Sequence, residues 1–385
     1  MWISFKCTRS LGLRTNLNVL NHLAQRGHDV YLLSTRAEKR FQIDNSNVHL
    51  TLVPFGYLPI ITPFLFSIVV FIYLPFYIAV RRPDIIVTET GPSIFSFVWN
   101  LLFNPLRFKT ILDIRTTPVE VNNFRRYLDQ IVFFRISVQI AKEMFDGITT
   151  LTNLMKREIC DEFQIDPEFV GVWTSGVSTT LFDPKKYNGL DLKKKFGLAD
   201  KFVIFYHGNF YYFLSRVIES IRLVKTKRDL VLFLLGSGPA LPIFRELVQR
   251  SGIEDKVVIH DAVDYKDVPK FIAMCDVGIV PLPDLPDWRH QCPLKLLEYL
   301  AMEKVVIVTD IPANREVVGK SKCSIYIPSV DPVEISKAIT YAYNNREKLK
   351  EWGSFGRAIT EERYSWEQAA RDFENCTLRL FQGNT

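Results

Sequence analysis

The sequence predicts an α/β fold built from two doubly wound domains. Strand-like and helix-like stretches alternate along the whole chain, which is typical of parallel α/β layers. The alternation starts again after residues 178–191, a stretch rich in turn formers. The chain has 385 residues, enough for two or three domains of about 150 residues each.

The strands are predicted from short runs of apolar and β-branched residues. In the first half these runs are 2–6, 30–34, 48–53, 84–88, 110–114, 147–151 and 169–173. In the second half they are 202–207, 230–236, 256–260, 276–281, 304–309 and 324–327. Helical spacing indicates helices at 17–27 and 123–145, and a closing amphipathic helix at 366–381.

Residues 57–80 form an apolar segment, and no Asp, Glu, Lys or Arg occurs between Asn45 and Val80. The segment is long enough to cross a bilayer at roughly 20 residues per span. A single crossing would separate the strands 30–34 and 84–88, which the alternation places in one sheet, and Pro75 argues against a straight spanning helix. We expect the segment to form a helix or a hairpin that lies in one leaflet at a membrane surface. The alternative is a helix buried between the sheet and another layer.

Composition limits the partners. A net charge of +6 with 23% charged residues allows mild attraction to anionic surfaces but excludes a dedicated nucleic-acid binder. The six cysteines show no metal-ligand spacing, which predicts reduced thiols in the cytoplasm and neither a disulfide nor a metal site. The first ten residues lack the apolar core of a signal peptide.

Seven stretches together resemble one enzyme family. They are 23–34, 81–89, 174–184, 234–248, 267–283, 292–318 and 364–370, and the set is similar to the retaining family 4 glycosyltransferases of group 1 type, which have the GT-B fold. The resemblance implies two Rossmann-like domains facing across a cleft: 1–180 on the acceptor side, 181–363 for the nucleotide-sugar, and 364–385 as a helix packing back on the first. It also implies sugar transfer from a UDP- or GDP-sugar with retention, without a metal or other cofactor.

The stretch "HQCPLKLLEYLA" at 290–301 carries the most specific part of this resemblance. Pro293 suits a first helical position, yet Lys295 lies in the first turn, where the helix dipole disfavours a cation by about 0.3–1 kcal/mol. A diphosphate at the helix start would attract both the dipole and Lys295. Glu298 shares the face of Lys295 and could accept two ribose hydroxyls. The alternative is an ordinary surface Lys–Glu pair.

Two departures from the family pattern concern the donor. His290 stands where a first glutamate, eight positions before the second, is usual; it could hydrogen-bond the donor sugar. The family's arginine and lysine for the diphosphate are replaced in 206–220 by residues including Gly208 and Asn209. Arg289 and Lys295 are then the best candidate cations, with Arg216 an outsider.

Candidates in the first half follow the first and fifth strands. Gly12 and Arg14 lie in the predicted loop 8–16 and could face a phosphate, or belong to an ordinary turn. Asp113, Arg115 and Glu120 could orient an acceptor hydroxyl, although Asp113 could equally cap a helix. The predicted catalytic and donor-binding residues are Lys295, Arg289, His290, Arg115, Asp113, Glu298, Gly208, Asn209, Pro293, Leu294, Gly12 and Arg14.

The function predicted is transfer of a sugar from a nucleotide-sugar to a lipid-linked or glycan acceptor at the cytoplasmic face of a membrane. Two other functions stay open. One is a catalytically silent partner subunit that binds the nucleotide-sugar, because His290 and the Asn209 stretch replace charged residues. The other is a sugar-nucleotide epimerase, which needs no acceptor and therefore no membrane-seeking segment.

Overall fold

A computed structural model describes residues 1–4, 11–35, 47–53, 61–91, 93–103, 108–116, 132–224 and 229–382. The chain divides into two compact units. The first unit comprises Met1–Ser175 together with Trp366–Thr385, and the second comprises Gly176–Ser365. Each unit is a parallel sheet covered by helices, so the predicted fold class of two Rossmann-like domains is confirmed.

The first unit contains a seven-stranded parallel sheet in the order β3-β2-β1-β4-β5-β6-β7. Its strands are β1 (Trp2–Ser4), β2 (Val30–Thr35), β3 (Val48–Val53), β4 (Ile85–Glu89), β5 (Lys109–Ile114), β6 (Gly147–Thr150) and β7 (Val170–Val172). Its helices are α1 (Leu11–Gln25), α2 (Ile61–Arg81), α3 (Ser93–Phe103), α4 (Phe133–Met144) and α5 (Asn153–Phe163). The switch point, where the order in which strands are added reverses, falls between β1 and β4.

From Ile61 onward, the described part of the apolar segment forms one helix, α2, which continues through Pro75. Four side chains four residues apart (Phe66, Val70, Leu74 and Ile78) are fully buried in the core of the first unit. Within the described ranges, Phe64–Arg81 is one stretch long and apolar enough to cross a bilayer, and a third of it is buried. The opposite face is exposed. One face of α2 is therefore buried, as the alternative of a buried helix predicted, and the other presents the apolar surface that the membrane prediction requires.

The last helix, α15 (Trp366–Gln382), belongs to the first unit. The ring of Phe373 packs between Trp2 and Trp173, at centroid distances of 5.2 and 5.3 Å. At Gly171 of β7 a Cβ atom would lie 1.7 Å from the sulfur of Cys376. A larger residue on β7 would therefore push α15 off the sheet.

The second unit contains a six-stranded parallel sheet in the order β10-β9-β8-β11-β12-β13. Its strands are β8 (Phe202–Asn209), β9 (Leu230–Ser237), β10 (Val257–His260), β11 (Val277–Val280), β12 (Val305–Thr309) and β13 (Ser324–Ile327). Its helices are α6 (Gly189–Lys195), α7 (Ser215–Leu223), α8 (Leu241–Ser251), α9 (Val268–Met274), α10 (Pro286–Arg289), α11 (Leu294–Ala301), α12 (Pro312–Val318), α13 (Pro332–Asn344) and α14 (Leu349–Arg363). The switch point lies between β8 and β11.

The elements agree with the predicted strands to within one or two residues, because buried parallel strands are continuous apolar runs. The first helix was predicted from residue 17 but begins at Leu11. Gly12 and Arg14 are therefore in the first turn of α1 and not in a loop, which corrects the prediction. Helical spacing missed this turn because residues 14–16 are polar. Of the predicted helix 123–145, residues up to 131 lie outside the described ranges.

Candidate functional site

Three chain segments meet closely at the end of β8: β8 itself, the end of β9 and the start of α11. Gly208 has φ +116°, and a Cβ atom there would lie 2.4 Å from Cε of Lys295. On the neighbouring strand a Cβ at Gly236 would lie 1.9 Å from the carbonyl oxygen of Gly208. Only glycine fits these two positions, because Lys295 and the neighbouring backbone fill the space that a side chain would need. Both glycines lie at the carboxyl edge of the sheet, at its switch point, where doubly wound sheets bind ligands.

Lys295 lies above this edge. Its ammonium nitrogen is 5.5 Å from the ring centroid of Tyr206, whose hydroxyl donates to the carbonyl oxygen of Asn209 at 2.7 Å. In the described part of the chain this ammonium forms no ion pair. Burial lowers the pKa of Lys295, and the charge of Glu298 opposes that shift. A cation held here without a carboxylate in contact is suited to an anionic ligand.

The helix that carries Lys295 begins without a side-chain cap. Pro293 is the N-cap residue with ψ 104°, so it precedes the helix and Leu294 is the first helical residue. The predicted placement of Pro293 inside the helix is wrong by one residue, because its backbone is extended. The amide of Leu296 donates to the carbonyl oxygen of Pro293 at 2.9 Å, so among the described residues the amides of Leu294 and Lys295 are left for another partner. A helix start of this kind binds anions.

Glu298 is buried on the same helix. The hydroxyl of Tyr265 donates to its Oε1 at 2.8 Å, and Nε2 of His207 lies 3.3 Å from its Oε2. Burial, helped by the charge of Lys295, lowers the pKa of His207 to about 3. The imidazole is therefore neutral beside the carboxylate at physiological pH.

Aromatic side chains occupy the stretch after Asn209. Tyr211 and Phe213 stack on each other, and each meets Trp288 edge to face at 5.8 and 5.9 Å. The amide nitrogen of Asn209 lies 3.4 Å from the Tyr211 hydroxyl. This cluster could not be predicted from the sequence, because Trp288 lies on α10, far along the chain from Tyr211 and Phe213.

The other predicted cations have carboxylate partners. Arg289 forms a bidentate pair with Asp284, and Arg216 pairs with Glu219 at 3.1 Å. The structure thus does not join Arg289 to Lys295. His290 follows α10 and is buried.

A second polar cluster lies at the carboxyl edge of the first sheet. Oδ1 of Asp113 accepts hydrogen bonds from Thr149 at 2.8 Å and from the indole of Trp173 at 2.9 Å. Its partners are side chains, so it does not act as the helix cap that the sequence left open. Burial raises the pKa of Asp113. The guanidinium of Arg115 stacks 3.6 Å from the Trp173 ring centroid and donates to the hydroxyl of Ser175.

The sequence analysis missed Glu89 in this cluster. It is buried at the end of β4, next to Asp113 in the strand register, and accepts from Asn16 at 2.8 Å. The sequence does contain a signal for this residue, because Glu89 is an acidic residue at the end of a mostly apolar strand. The side chains of Gly12 and Arg14 lie outside the described set, and so does Glu120.

The residues that the structure describes contain no group of three His, Cys, Asp or Glu side chains able to hold a metal ion.

Two sequence families match this chain. The model described as Glycosyltransferase Family 4 matches residues 14–181, and the model described as Glycosyl transferases group 1 matches residues 201–345. The chain belongs to the family 4, group 1 glycosyltransferases. In this glycosyltransferase the second match covers the Gly208, Lys295 and Glu298 site.

Individual relatives are distant. The MMP alpha-(1->4)-mannosyltransferase of Mycolicibacterium hassiacum is 21% identical over 243 residues, which are 62% of this chain and 55% of that protein. The match thus spans about half the length of this relative.

Solved structures show the same fold. Sucrose-phosphate synthase of Thermosynechococcus elongatus has a TM-score of 0.76 at 17% identity, covering 99% of this chain and 98% of that one. HepE of Anabaena, in complex with UDP-glucose, has a TM-score of 0.72 at 12% identity and covers 97% of each chain. At these identities the likeness concerns the GT-B fold alone.

Proposed function

We propose that this glycosyltransferase moves a sugar from a UDP- or GDP-sugar to a lipid-linked or glycan acceptor, with retention and without a required metal. The observation that carries the proposal is the close approach of Lys295 to Gly208 beside the uncapped start of α11. The second unit would hold the donor, and the first unit would hold the acceptor. HepE, a protein of the same fold, is known with UDP-glucose bound, which supports a nucleotide-sugar donor.

The donor diphosphate would lie at the start of α11. The backbone amides there and the ammonium of Lys295 provide positive charge, and Gly208 leaves room for the Lys295 side chain to lie against the end of β8. Glu298, on the same side of the helix, would accept hydrogen bonds from the ribose hydroxyls, and His290 would contact the sugar. Arg289 could join the diphosphate only after leaving Asp284.

The chemical step would occur on one face of the sugar. The bond from the anomeric carbon to the diphosphate oxygen breaks, the acceptor oxygen forms a bond on the same face, and its proton passes to the departing diphosphate. Negative charge grows on the leaving group, so fixed donors at α11 lower the barrier. Losing one of them costs on the order of 2.7–4 kcal/mol, by analogy with an oxyanion-hole donor.

In the first unit, Asp113 and Arg115 are proposed to orient the acceptor. Asp113 lies at the carboxyl edge of the sheet with one oxygen, Oδ2, that has no hydrogen-bond partner in the described residues. Arg115 is held flat by Trp173. A buried carboxyl group with a free oxygen and a fixed guanidinium could together bind a hydroxyl and a neighbouring anionic group.

The exposed face of α2 supports a membrane-surface location. Ile72, Phe76 and Val80 are 59%, 69% and 76% exposed, and Arg81 and Arg82 end the apolar stretch. Apolar side chains followed by arginines suit the boundary between acyl chains and anionic headgroups. We propose peripheral attachment to the cytoplasmic face of a membrane.

Turnover of a panel of UDP- and GDP-sugars, with native lipid extract and a chelator, tests the activity. Lys295→Ala and Glu298→Ala should each lower nucleotide release about 10²–10³-fold. The control is the surface pair Glu334→Ala and Lys337→Ala, which removes an exposed ion pair at the same spacing on α13. Equal loss in control and test variants would overturn the proposal.

Binding to vesicles of anionic phospholipid tests the location. The double variant Ile72→Glu with Phe76→Glu should abolish co-sedimentation. The control, Ile243→Glu with Phe355→Glu, changes two exposed apolar residues of the second unit and should leave it intact. Vesicle binding that survives the α2 changes would contradict the proposal.

A silent nucleotide-binding subunit is the second candidate. The observation that favours it is the pairing of Arg289 with Asp284 together with the aromatic cluster after Asn209, which leaves fewer cations for the leaving group. Tight nucleotide binding with no release from any donor would identify this function.

A further inference from the structure

The helix α3 lies beside α2 and has its polar residues on the inside. Ser93, Ser96 and Asn100 are all buried. The apolar residues around them are partly exposed, and Leu101 and Leu102 near the end of the helix are exposed. A surface helix of a water-soluble protein has the opposite arrangement, with apolar side chains inside and polar side chains outside.

We infer that α2 and α3 form one surface that is inserted among the acyl chains of a membrane. The inference rests on the proposed function, because it concerns the same membrane location. It goes further, because it includes α3 in the attached surface and makes insertion of apolar side chains the main source of affinity. This α2–α3 surface consists of the exposed apolar residues Phe64, Ile68, Phe71, Ile72, Phe76, Val80, Leu101 and Leu102.

Aromatic side chains join the two helices at this surface. The ring centroid of Phe71 lies 5.1 Å from that of Trp99 and 6.2 Å from that of Phe95. Phe71 is exposed, and Phe95 and Trp99, which lie one turn apart on α3, are partly exposed. The apolar surface therefore continues from α2 onto α3.

The buried side of α3 contacts the first unit through polar groups. The side-chain amide of Asn100 donates to the carbonyl oxygen of Met144, at the end of α4, at 2.7 Å. The backbone amide of Gly91, just before α3, donates to the hydroxyl of Ser137 on α4 at 3.2 Å. Small and polar residues between helices are typical of proteins in lipid, where the outward side chains face acyl chains.

The charge distribution favours a bilayer over a protein partner. No Asp, Glu, Lys or Arg occurs at 45–80 or at 90–106. A protein interface has a polar rim around its apolar core, whereas a charged side chain among acyl chains is costly. The next helix, α4, exposes Arg135 and Glu143 beside Ile136, so the charge-free surface ends there.

Tyrosine and arginine side chains lie together at the end of α2. Both helices run from the carboxyl edge to the amino edge of the first sheet, because each connects two parallel strands. At the amino edge, the guanidinium of Arg81 lies 5.3 Å from the ring centroid of Tyr31, which meets the ring of Tyr77 at 5.6 Å. Such residues are typical of the headgroup level, so this edge is where the inserted surface reaches the headgroups.

Co-sedimentation of the full chain with vesicles of anionic phospholipid, at about 0.1 M and about 1 M salt, tests the inference. The wild type should stay bound at the higher concentration, since salt screens charges but does not weaken the burial of apolar surface. Leu102→Glu should weaken binding at least tenfold, because a leucine inserted in lipid is replaced by a charge.

The matched control is Leu378→Glu on α15, where the leucine is 50% exposed, against 61% for Leu102. This helix covers the other face of the first sheet, because α15 contacts Trp2 whereas α2 contacts the adjacent residue, Ile3. The control should bind like the wild type. Melting temperatures of both variants, measured without lipid, show whether each is folded.

A fluorescent label gives a readout that does not depend on a weakened affinity. An environment-sensitive probe on Leu102→Cys should shift its emission to the blue when vesicles are added. The same probe on Leu378→Cys should not shift. The described native cysteines are buried, and wild type treated with the probe supplies the background.

The outcomes separate the inference from the proposed location. If Leu102→Glu binds like the wild type while the double variant Ile72→Glu with Phe76→Glu does not, the location stands and the role of α3 is overturned. If both bind like the wild type, the proposed location is wrong. Loss of wild-type binding at the higher salt concentration would overturn insertion. A lipid-free dimer that Leu102→Glu converts to a monomer would show that a second copy covers the surface, which overturns the choice of lipid.

Discussion

The neutral imidazole of His207 makes the stability of the second unit depend on pH. The pKa is about 3 in the folded chain, against an ordinary value of 6.5. Between these values the unfolded chain binds a proton at this residue and the folded chain does not, so stability falls as the pH falls. The His207→Phe variant cannot bind this proton, and it keeps an aromatic ring of similar size.

The magnitude follows from the size of the shift. Each pH unit below 6.5 favours the unfolded wild type by about 1.4 kcal/mol at this one residue, until the folded pKa is reached. At pH 5, about 1.5 units below the ordinary value, the wild type should have lost about 2 kcal/mol through His207. The His207→Phe variant should not lose this part of its stability.

The free energy of unfolding of both proteins can be measured by urea titration at pH about 7.5 and about 5. Hydrogen exchange of peptides from β8 and α11 reports on the second unit alone. The difference between variant and wild type should shift in favour of the variant by about 2 kcal/mol on acidification. A difference that is the same at both pH values would refute the argument.

Three further changes test other parts of the structure. Gly208→Ala places a Cβ against Lys295 at an unfavourable φ and should lower nucleotide affinity at least tenfold, whereas Gly252→Ala, with φ +59° and open space, should cost only about 1–2 kcal/mol of stability. Asp113→Asn should raise the melting temperature at pH 7 but not at pH 4. Burial raises the pKa of this carboxyl, so the folded wild type loses stability as the pH rises. A destabilised variant at pH 7 would contradict this. Phe373→Ala should destabilise the first unit by about 3–5 kcal/mol in urea titration, since two tryptophans enclose the ring.

The strands could be predicted from the sequence because strands buried on both faces of a parallel sheet are continuous runs of apolar residues. The start of α1 could not, because Gly12 is typical of a turn and the polar residues Arg14, Thr15 and Asn16 separate Leu13 from the apolar residues that follow. The apolar stretch of α2 predicted a helix or a hairpin, and the structure shows a helix from Ile61 to Arg81. Which of its faces would be buried depended on packing against β1, β2 and β4, and no local pattern encodes that.

The candidate site was predictable only where its residues share an element. Lys295 and Glu298 lie one turn apart, so helical spacing placed them together. Tyr265 comes 33 residues earlier in the chain than Glu298, and only the sheet topology brings the two into contact. Arg289 was predicted from its proximity in sequence to the helix, but Asp284, five residues earlier, binds it.

The position of α15 reverses the order in which the two units can be completed during synthesis. Residues Met1–Ser175 leave the ribosome before the second unit, yet the helix that covers Trp2 and Trp173 is translated after it. The second unit, Gly176–Ser365, is a continuous segment and can fold as soon as it emerges. The nascent first unit therefore exposes an aromatic surface until α15 has been translated, and a ribosome stalled before Trp366 would carry a finished second unit joined to an open first one.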